Sequence, residues 1–198
     1  MTALCDLAKK YGTDKGAQEN GGWGYTPAYT EVLGNMGPLN VRNVLEIGIC
    51  GHRDIPNNVV GASLFMWKDY FPNAIIHGID NDGRFIFHDQ HRIRTALCDA
   101  YRPEQLGRVL KDWGAPQFEF ICDDAVHDPL PQMNLCMMLW PFLVPGGVYA
   151  IEDVCPYKCP GGELDALIRP ILTAFPDCVQ VREITTHKDE RLLLLFKA

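Results

Sequence analysis

Acidic side chains follow four candidate strands of this 198-residue chain, at the point where each strand ends. They are Asp80, Asp99, Asp124 and Asp153, and Glu152 stands beside the last of them. A single aspartate in such a position most often caps the helix that follows. Because the carboxyl ends of parallel strands meet at one edge of a sheet, the recurrence of these acids favours a shared binding site there.

Two neighbouring strand ends carry the residues best suited to metal chemistry. Asp124 follows one strand, and Glu152 and Asp153 follow the next. Three carboxylates in one place suit a hard cation with oxygen ligands, such as magnesium. His127 lies three residues after Asp124, and a neutral imidazole there could act as a general base. Without the neighbouring acids, His127 would more simply be a solvated loop residue.

A glycine and a distant acid indicate a nucleoside site. Gly48 follows the first buried strand, where a glycine lets a ligand approach the backbone. A nucleoside-binding sheet has an acid roughly 20 residues beyond its glycine loop, and this acid binds ribose hydroxyls. Asp80 lies 19 residues after Gly61 but 32 residues after Gly48. We interpret the segment Gly51–Val60 as an inserted loop that accounts for the difference.

Strands and helices alternate from residue 42 onward. The candidate parallel strands are Val44–Ile47, Ala74–Ile79, Ile93–Leu97, Phe118–Cys122 and Val148–Ile151. The last two strands, Cys178–Ile184 and Arg191–Phe196, are separated by too few residues for a helical crossover and should pair antiparallel. The pattern predicts an α/β fold with a seven-stranded doubly wound sheet. The sheet is mostly parallel, with one antiparallel strand near the C-terminal edge and helices on both faces.

Composition excludes several classes of protein. The net charge of −7 argues against binding to nucleic acid, which needs clustered basic residues. No apolar run approaches the ~20 residues of a membrane span. The N-terminus has no apolar signal sequence, so the eight cysteines are expected to be reduced thiols in the cytoplasm.

Several segments, in their order along the chain, resemble those of the class I methyltransferases that use S-adenosylmethionine (SAM). More closely, they resemble the magnesium-dependent O-methyltransferases of natural-product sugars, of the macrocin and mycinamicin (rhamnosyl/tetracenomycin) type. The most specific segments are Lys10–Gly16, with the sequence KYGTDKG, and the pairing of Asp123-Asp124 and His127 with Ile151-Glu152-Asp153. The others are Leu45–Gly48, Gly61–Leu64, Trp67–Phe71, Gly78–Asp80 and Pro145–Gly147.

The resemblance implies a role for each matching residue. Cofactor contacts are implied for Thr13, Asp14, Lys15, Glu46, Gly48, Ser63, Asp80, Asp99 and Asp123. Magnesium ligands are implied at Asp124, Glu152 and Asp153, and the general base at His127. A Rossmann-like SAM-binding methyltransferase domain would span residues 42–198, and the helical segment 1–41 would cover the cofactor site.

These observations lead to one main hypothesis and two alternatives. The main hypothesis is metal-dependent O-methylation of a hydroxyl on a small molecule, either a sugar or an acceptor of polyketide or phenol type. One alternative is a nicotinamide-dependent oxidoreductase on the same fold, although the chain has no GxGxxG motif. The other alternative is a SAM-binding protein without catalysis. A homo-oligomer is compatible with all three hypotheses.

Overall fold

The computed structural model of the chain describes residues 2–49, 59–89, 91–186 and 190–198. Within these residues the helices are α1 (Ala3–Tyr11), α2 (Tyr25–Asn35), α3 (Ala62–Tyr70), α4 (Pro103–Asp112), α5 (Pro129–Leu139) and α6 (Asp165–Ala174). The strands are β1 (Asn43–Ile47), β2 (Ile75–Asp80), β3 (His88–Asp89), β4 (Ile93–Leu97), β5 (Phe118–Asp123), β6 (Leu143–Val154), β7 (Cys178–Thr185) and β8 (Arg191–Lys197).

All the described strands belong to one sheet with the order β3-β4-β2-β1-β5-β6-β8-β7. Neighbouring pairs among β4, β2, β1, β5 and β6 are parallel, whereas β8 is antiparallel to both β6 and β7. The predicted fold is therefore confirmed, including the antiparallel strand near the C-terminal edge. The parallel strands place their carboxyl ends, and the acids that follow them, along one edge of the sheet.

Each face of the sheet carries its own hydrophobic core. Successive residues of a strand point to opposite faces, so Val44 joins one core and Leu45 joins the other. The first core takes apolar residues from α1, α2 and α3, and the second takes them from α4, α5 and α6. Both faces of the central strands are buried, which explains why these strands read as continuous apolar runs in the sequence.

Two strands differ from the sequence prediction. β3 makes eight strands in place of seven, and its two residues are too few to produce a recognisable pattern. β6 begins at Leu143, five residues before the predicted strand, because Leu143 already pairs with Phe118 in β5; an irregularity follows at the Pro-Gly-Gly stretch, where Gly146 has a φ of +76°. The predicted inserted loop Gly51–Val60 lies outside the described residues, apart from its last two positions. None of the described helices is both long and apolar enough to cross a membrane.

The buried side chain of His77, in β2, is expected to lower the free energy of unfolding in acid. Its ring packs against Trp113 and Phe118, and its Nδ1 atom is buried without a hydrogen-bond partner. Burial lowers the pKa of His77 from 6.5 to about 4, with a smaller contribution from Arg94. The unfolded chain therefore binds a proton at a higher pH than the folded chain. The resulting stabilisation is complete above pH 6.5 and is lost as the pH falls toward 4.

We expect a loss of about 3 kcal/mol from His77 across this pH window. The variant His77→Phe keeps an aromatic ring and cannot titrate, so its free energy of unfolding should fall less steeply between pH 6.5 and 4. Urea denaturation of both proteins at several pH values measures the difference. Parallel pH profiles of the two proteins would contradict this assignment.

Candidate active site

The carboxyl ends of the parallel strands surround a cavity of about 780 Å³. Of the predicted site residues, those that line it are Asp14, Gly48, Asp80, Asp99, Asp124, His127 and Asp153. The predicted residues that do not line it are Thr13, Lys15, Glu46, Ser63, Asp123 and Glu152. The sheet thus brings the acids from four strand ends to one cavity, as the sequence predicts.

At one side of the cavity, the Asp80 carboxylate is fixed by two backbone groups. Ile49 N donates to its Oδ2 atom at 3.1 Å, and Asp82 N donates to its Oδ1 atom at 2.9 Å. Gly48 lies beside it with a φ of +83°, and a Cβ atom there would lie 2.2 Å from the carbonyl oxygen of Asp124. A glycine is therefore required where β1 and β5 end next to the cavity.

Two further predicted residues lie at the rim of the cavity. Asp99 forms an ion pair with Arg102 at 3.1 Å, and its Oδ1 atom accepts a hydrogen bond from Tyr101 N. Asp14 also lines the cavity and is exposed, and its carbonyl oxygen accepts a hydrogen bond from Trp23 N. Both carboxylates are accessible to a molecule in the cavity.

At the other side of the cavity, Asp124, His127 and Asp153 form a compact group. One possible ligand atom from each of them lies within 4.8 Å of the other two. His127 Nε2 is 3.3 Å from Asp124 Oδ1 and 3.1 Å from Asp153 Oδ2. The backbone of His127 and Asp153 has positive φ values, +48° and +51°. Residues other than glycine rarely adopt this conformation, and it is concentrated at functional sites.

The charges within this group are strongly coupled. Burial raises the pKa of Asp153 to about 7, and repulsion from Asp124 adds to the effect. Burial also disfavours ionisation of Asp124, but Lys15 and His127 hold the pKa of Asp124 below its usual value. Burial disfavours the charged form of His127, yet its hydrogen bond to Asp124 and the negative charges of Asp124 and Asp153 raise the pKa of His127. The acids thus favour a positive charge between them.

Lys15 lies behind this group and not over the cavity, contrary to the position expected for a cofactor contact. Its side chain is 1% exposed. The Nζ atom donates to Asp124 Oδ2, lies 2.6 Å from Glu152 Oε2, and is 3.3 Å from Glu46 Oε1. The sequence offers one signal for this placement, because several buried carboxylates need a buried cation.

Helix α2 contacts the same acids through two tyrosines that sequence reasoning did not assign to the site. Tyr25 OH donates to Asp153 Oδ1, and Tyr29 OH donates to Glu152 Oε1 at 2.5 Å. The signal in the sequence is their spacing of four residues, which places both rings on one helix face. The N-terminal segment therefore supports the acids from the side away from the cavity.

Three predicted cofactor contacts and one predicted metal ligand are buried behind the cavity wall. Glu46 accepts hydrogen bonds from Trp67 Nε1 at 2.9 Å and from Ser63. Asp123 is fully buried with its side chain near Tyr101 OH, and burial raises its pKa to about 7. Both carboxylate oxygens of Glu152 already have partners. Direct contacts of these residues with a cofactor or cation stay predictions.

Comparisons with known proteins identify relatives along most of the chain, although no family model matches it. Over 159 residues it is 33% identical to the 8-demethyl-8-alpha-L-rhamnosyl tetracenomycin-C 2'-O-methyltransferase of Streptomyces olivaceus. Over the same length it is 34% identical to the mycinamicin VI 2''-O-methyltransferase of Micromonospora griseorubida. These alignments cover 78% and 80% of this chain but only 38% and 37% of the relatives.

A similar solved structure is that of the MycE methyltransferase from the mycinamycin biosynthetic pathway, in complex with Mg, SAH and mycinamycin VI. Its TM-score is 0.78 at 25% identity, and the match covers 100% of this chain and 55% of MycE. The chain thus spans little more than half of that protein and less than half of the curated relatives. The predicted resemblance is confirmed: the chain has a methyltransferase fold and is similar in sequence to O-methyltransferases of natural-product sugars.

Proposed function

We propose that the chain transfers a methyl group from SAM to a hydroxyl of a small molecule, with a divalent cation in the site. One observation carries the proposal. Asp124, His127 and Asp153 form a possible cation group that opens on the same cavity as Asp80 and Gly48. A nucleoside-binding element and a cation with a nearby base are the parts that metal-dependent O-methylation requires.

The residues of this group fit magnesium. The two aspartates offer hard carboxylate oxygens, the ligands that magnesium prefers over nitrogen or sulfur. We propose that Asp124 and Asp153 hold the cation and leave its other positions to water or substrate. Glu152 is the third predicted ligand, but Lys15 and Tyr29 hold its oxygens in this structure. The relative MycE was solved with Mg, which supports this choice of metal.

The other half of the cavity fits the nucleoside part of SAM. Each oxygen of the Asp80 carboxylate accepts one backbone hydrogen bond and keeps a second lone pair for a ribose hydroxyl. The Gly48 backbone is accessible from the cavity, and Asp99 lies at its rim. We also propose that residues 42–198 form the SAM-binding domain and that Asp14, in the segment 1–41, contacts the cofactor.

The mechanism assigns distinct roles to the residues of the cavity. When bound, the cation lowers the pKa of an acceptor hydroxyl, and SAM supplies the methyl group. His127 accepts the proton of this hydroxyl through Nε2. The two carboxylates that favour the charged imidazole are also the proposed cation ligands, so a cation held by them would favour neutral His127, which can accept a proton. Asp80 fixes the nucleoside, which orients the methyl group toward the acceptor.

A sugar hydroxyl is the proposed acceptor. The relatives in these comparisons act on rhamnosyl, mycinamicin and olivosyl compounds, according to their names. A vicinal diol offers two oxygens to one cation, and a catechol offers the same arrangement. The cavity is also lined by Trp23, Val126 and Pro131, which offer apolar surfaces for the rest of an acceptor.

Methyl transfer from labelled SAM tests the proposal directly. The acceptors to compare are deoxysugar glycosides with a vicinal diol, simple catechols, and the same glycosides with the diol blocked. We expect labelled product from a free diol with Mg²⁺ present and no product after chelation by EDTA. Transfer that is unaffected by EDTA would contradict the cation role. SAM binding with neither cation binding nor turnover would favour the non-catalytic alternative.

We further propose a cytoplasmic protein that works on small molecules and not on nucleic acid. The seven described cysteines are free thiols, which suits a reducing compartment. The net charge of −7 supports the proposal that the protein does not act on nucleic acid. A titration with duplex DNA at low salt should show no binding, and binding there would contradict the proposal. Sedimentation velocity of the purified chain would establish whether it is a monomer or a homo-oligomer.

A further inference from the structure

The buried ammonium group of Lys15 lies among the carboxylates of Glu46, Asp124 and Glu152. Hydrogen bonds in the loop around Lys15 fix its backbone. Thr26 N donates to Lys15 O at 3.0 Å, and Gly24 N donates to Gly16 O at 2.7 Å. A Cβ atom at Gly22 would lie 2.2 Å from Gly16 O, so the two arms of the loop are in direct contact. The loop therefore delivers the ammonium group to one defined place.

The oxygens of the acids are divided between two sides. On the inner side, Lys15 binds Asp124 Oδ2 and Glu152 Oε2, and Tyr25 binds Asp153 Oδ1. On the outer side, Asp124 Oδ1 and Asp153 Oδ2 both face His127. Each aspartate thus has one oxygen held by the N-terminal segment and one oxygen directed to the group that lines the cavity.

We propose that Lys15 is a positioning residue of the cation site. This inference rests on the proposed function. The ammonium group fixes the inner oxygens of Asp124 and Glu152 and so presents Asp124 Oδ1 to the cation in the cavity. Lys15 itself touches neither the cation nor the cofactor.

The physical reason is the cost of placing carboxylates together. Without the ammonium group, the inner oxygens of Asp124 and Glu152 would lose the buried cation that holds them together. Asp124 would then be able to turn away from Glu152, and its outer oxygen would lose its fixed direction. Groups that orient metal ligands typically contribute about 10–100-fold to metal affinity.

The variant Lys15→Met tests this inference, because methionine has a similar length and no charge. Mn²⁺ serves as the probe, since it accepts the same ligands as magnesium and free Mn²⁺ is measured by electron paramagnetic resonance. We expect Lys15→Met to bind Mn²⁺ at least about tenfold more weakly than the wild type. The affinity for S-adenosylhomocysteine (SAH), measured by calorimetry, should change by less than about threefold. A purely structural role would weaken both affinities together.

Tyr29→Phe is the matched control for a change at the same buried acid. It removes the hydrogen bond to the other oxygen of Glu152 but leaves Lys15 and its charge in place. We expect its Mn²⁺ affinity to change by less than about threefold. A loss equal to that of Lys15→Met would show that Glu152 packing matters and not the ammonium group, which would overturn the proposal.

A second pair of variants, Glu46→Gln and Lys15→Met/Glu46→Gln, serves as the test if Lys15→Met alone does not fold. Glu46→Gln keeps Lys15, whereas Lys15→Met/Glu46→Gln removes one charge of each sign from contacting residues. We expect the double variant to bind Mn²⁺ at least about tenfold more weakly than Glu46→Gln. If neither variant that lacks Lys15 folds while Glu46→Gln does, Lys15 is a determinant of the fold, and the proposal is overturned.

The wild type separates failure of this inference from failure of the proposed function. Wild-type protein that does not bind Mn²⁺ would contradict the proposed cation site itself. Wild-type protein that binds Mn²⁺, together with a Lys15→Met variant that binds it equally well or more tightly, would contradict only the role of Lys15. Loss of SAH affinity with unchanged Mn²⁺ affinity in Lys15→Met would also contradict the role of Lys15 and would support the cofactor contact expected from the sequence.

Discussion

Replacing His127 by asparagine is expected to lower kcat for methyl transfer by about 10²–10⁴-fold, the usual contribution of a general base. Asparagine is the appropriate replacement because it tolerates the positive φ of +48° at this position better than alanine does. The affinities for SAH and Mn²⁺ should change by less than about threefold, since Asp80, Asp124 and Asp153 are intact. Initial rates and calorimetry with the same preparation measure these quantities.

The assignment of the base has clear contrary outcomes. Full activity of His127→Asn would show that another group or water accepts the proton. A large loss of Mn²⁺ affinity would instead identify His127 as a cation ligand, which its position between Asp124 and Asp153 also permits. Asp153→Asn is the companion variant, because it removes a charge and keeps a residue that tolerates positive φ. We expect it to lose Mn²⁺ affinity and to retain SAH affinity.

Replacing Asp80 by asparagine is expected to weaken SAH binding by about thirtyfold, which corresponds to about 2 kcal/mol for one hydrogen bond to a charged group. The carboxylate accepts backbone N–H groups at both oxygens, from Ile49 and from Asp82. Whichever way the asparagine side chain turns, its NH₂ group faces one of these N–H donors. The substitution therefore disturbs the Gly48 loop as well as the proposed ribose contact.

Asp99→Asn is the matched control at the rim of the same cavity. Asp99 is more exposed than Asp80, and an ion pair with Arg102 occupies one of its oxygens. We expect its SAH affinity to fall by less than about fivefold, because exposed charge pairs contribute little. Equal losses in the two variants would show that general negative charge at the rim matters. No loss in Asp80→Asn would place the nucleoside elsewhere.

The sequence was sufficient to predict the sheet and the edge at which the acids meet. The alternation of apolar runs and helices predicts a parallel sheet, and the carboxyl ends of parallel strands place Asp80, Asp124 and Asp153 at one edge. Four of the five predicted parallel strands begin and end within one residue of the observed strands. β6 begins earlier because Leu143 pairs with Phe118 in β5 before a bulge at the glycines that normally indicate a turn.

The support behind the acids could not be predicted in the same way. Lys15 lies in a glycine-containing loop next to the exposed Asp14, which is typical of a solvated lysine. Its burial depends on contacts with residues more than 100 positions away, at Asp124 and Glu152. Local pattern carries no information on such contacts. Tyr25 shows the same limit. The helical pattern predicts that its ring packs against the sheet, but it does not predict the hydrogen bond from its hydroxyl to Asp153 Oδ1.

A calorimetric titration of the purified chain with SAH, with NAD as the control ligand, decides whether the cavity binds SAM. We expect micromolar affinity for SAH and no heat of binding with NAD, because the cavity joins the Asp80 carboxylate to the Gly48 turn without a GxGxxG loop. Binding of NAD in place of SAH would support an oxidoreductase and contradict the proposed function. Binding of neither ligand would contradict the assignment of this cavity as a SAM site.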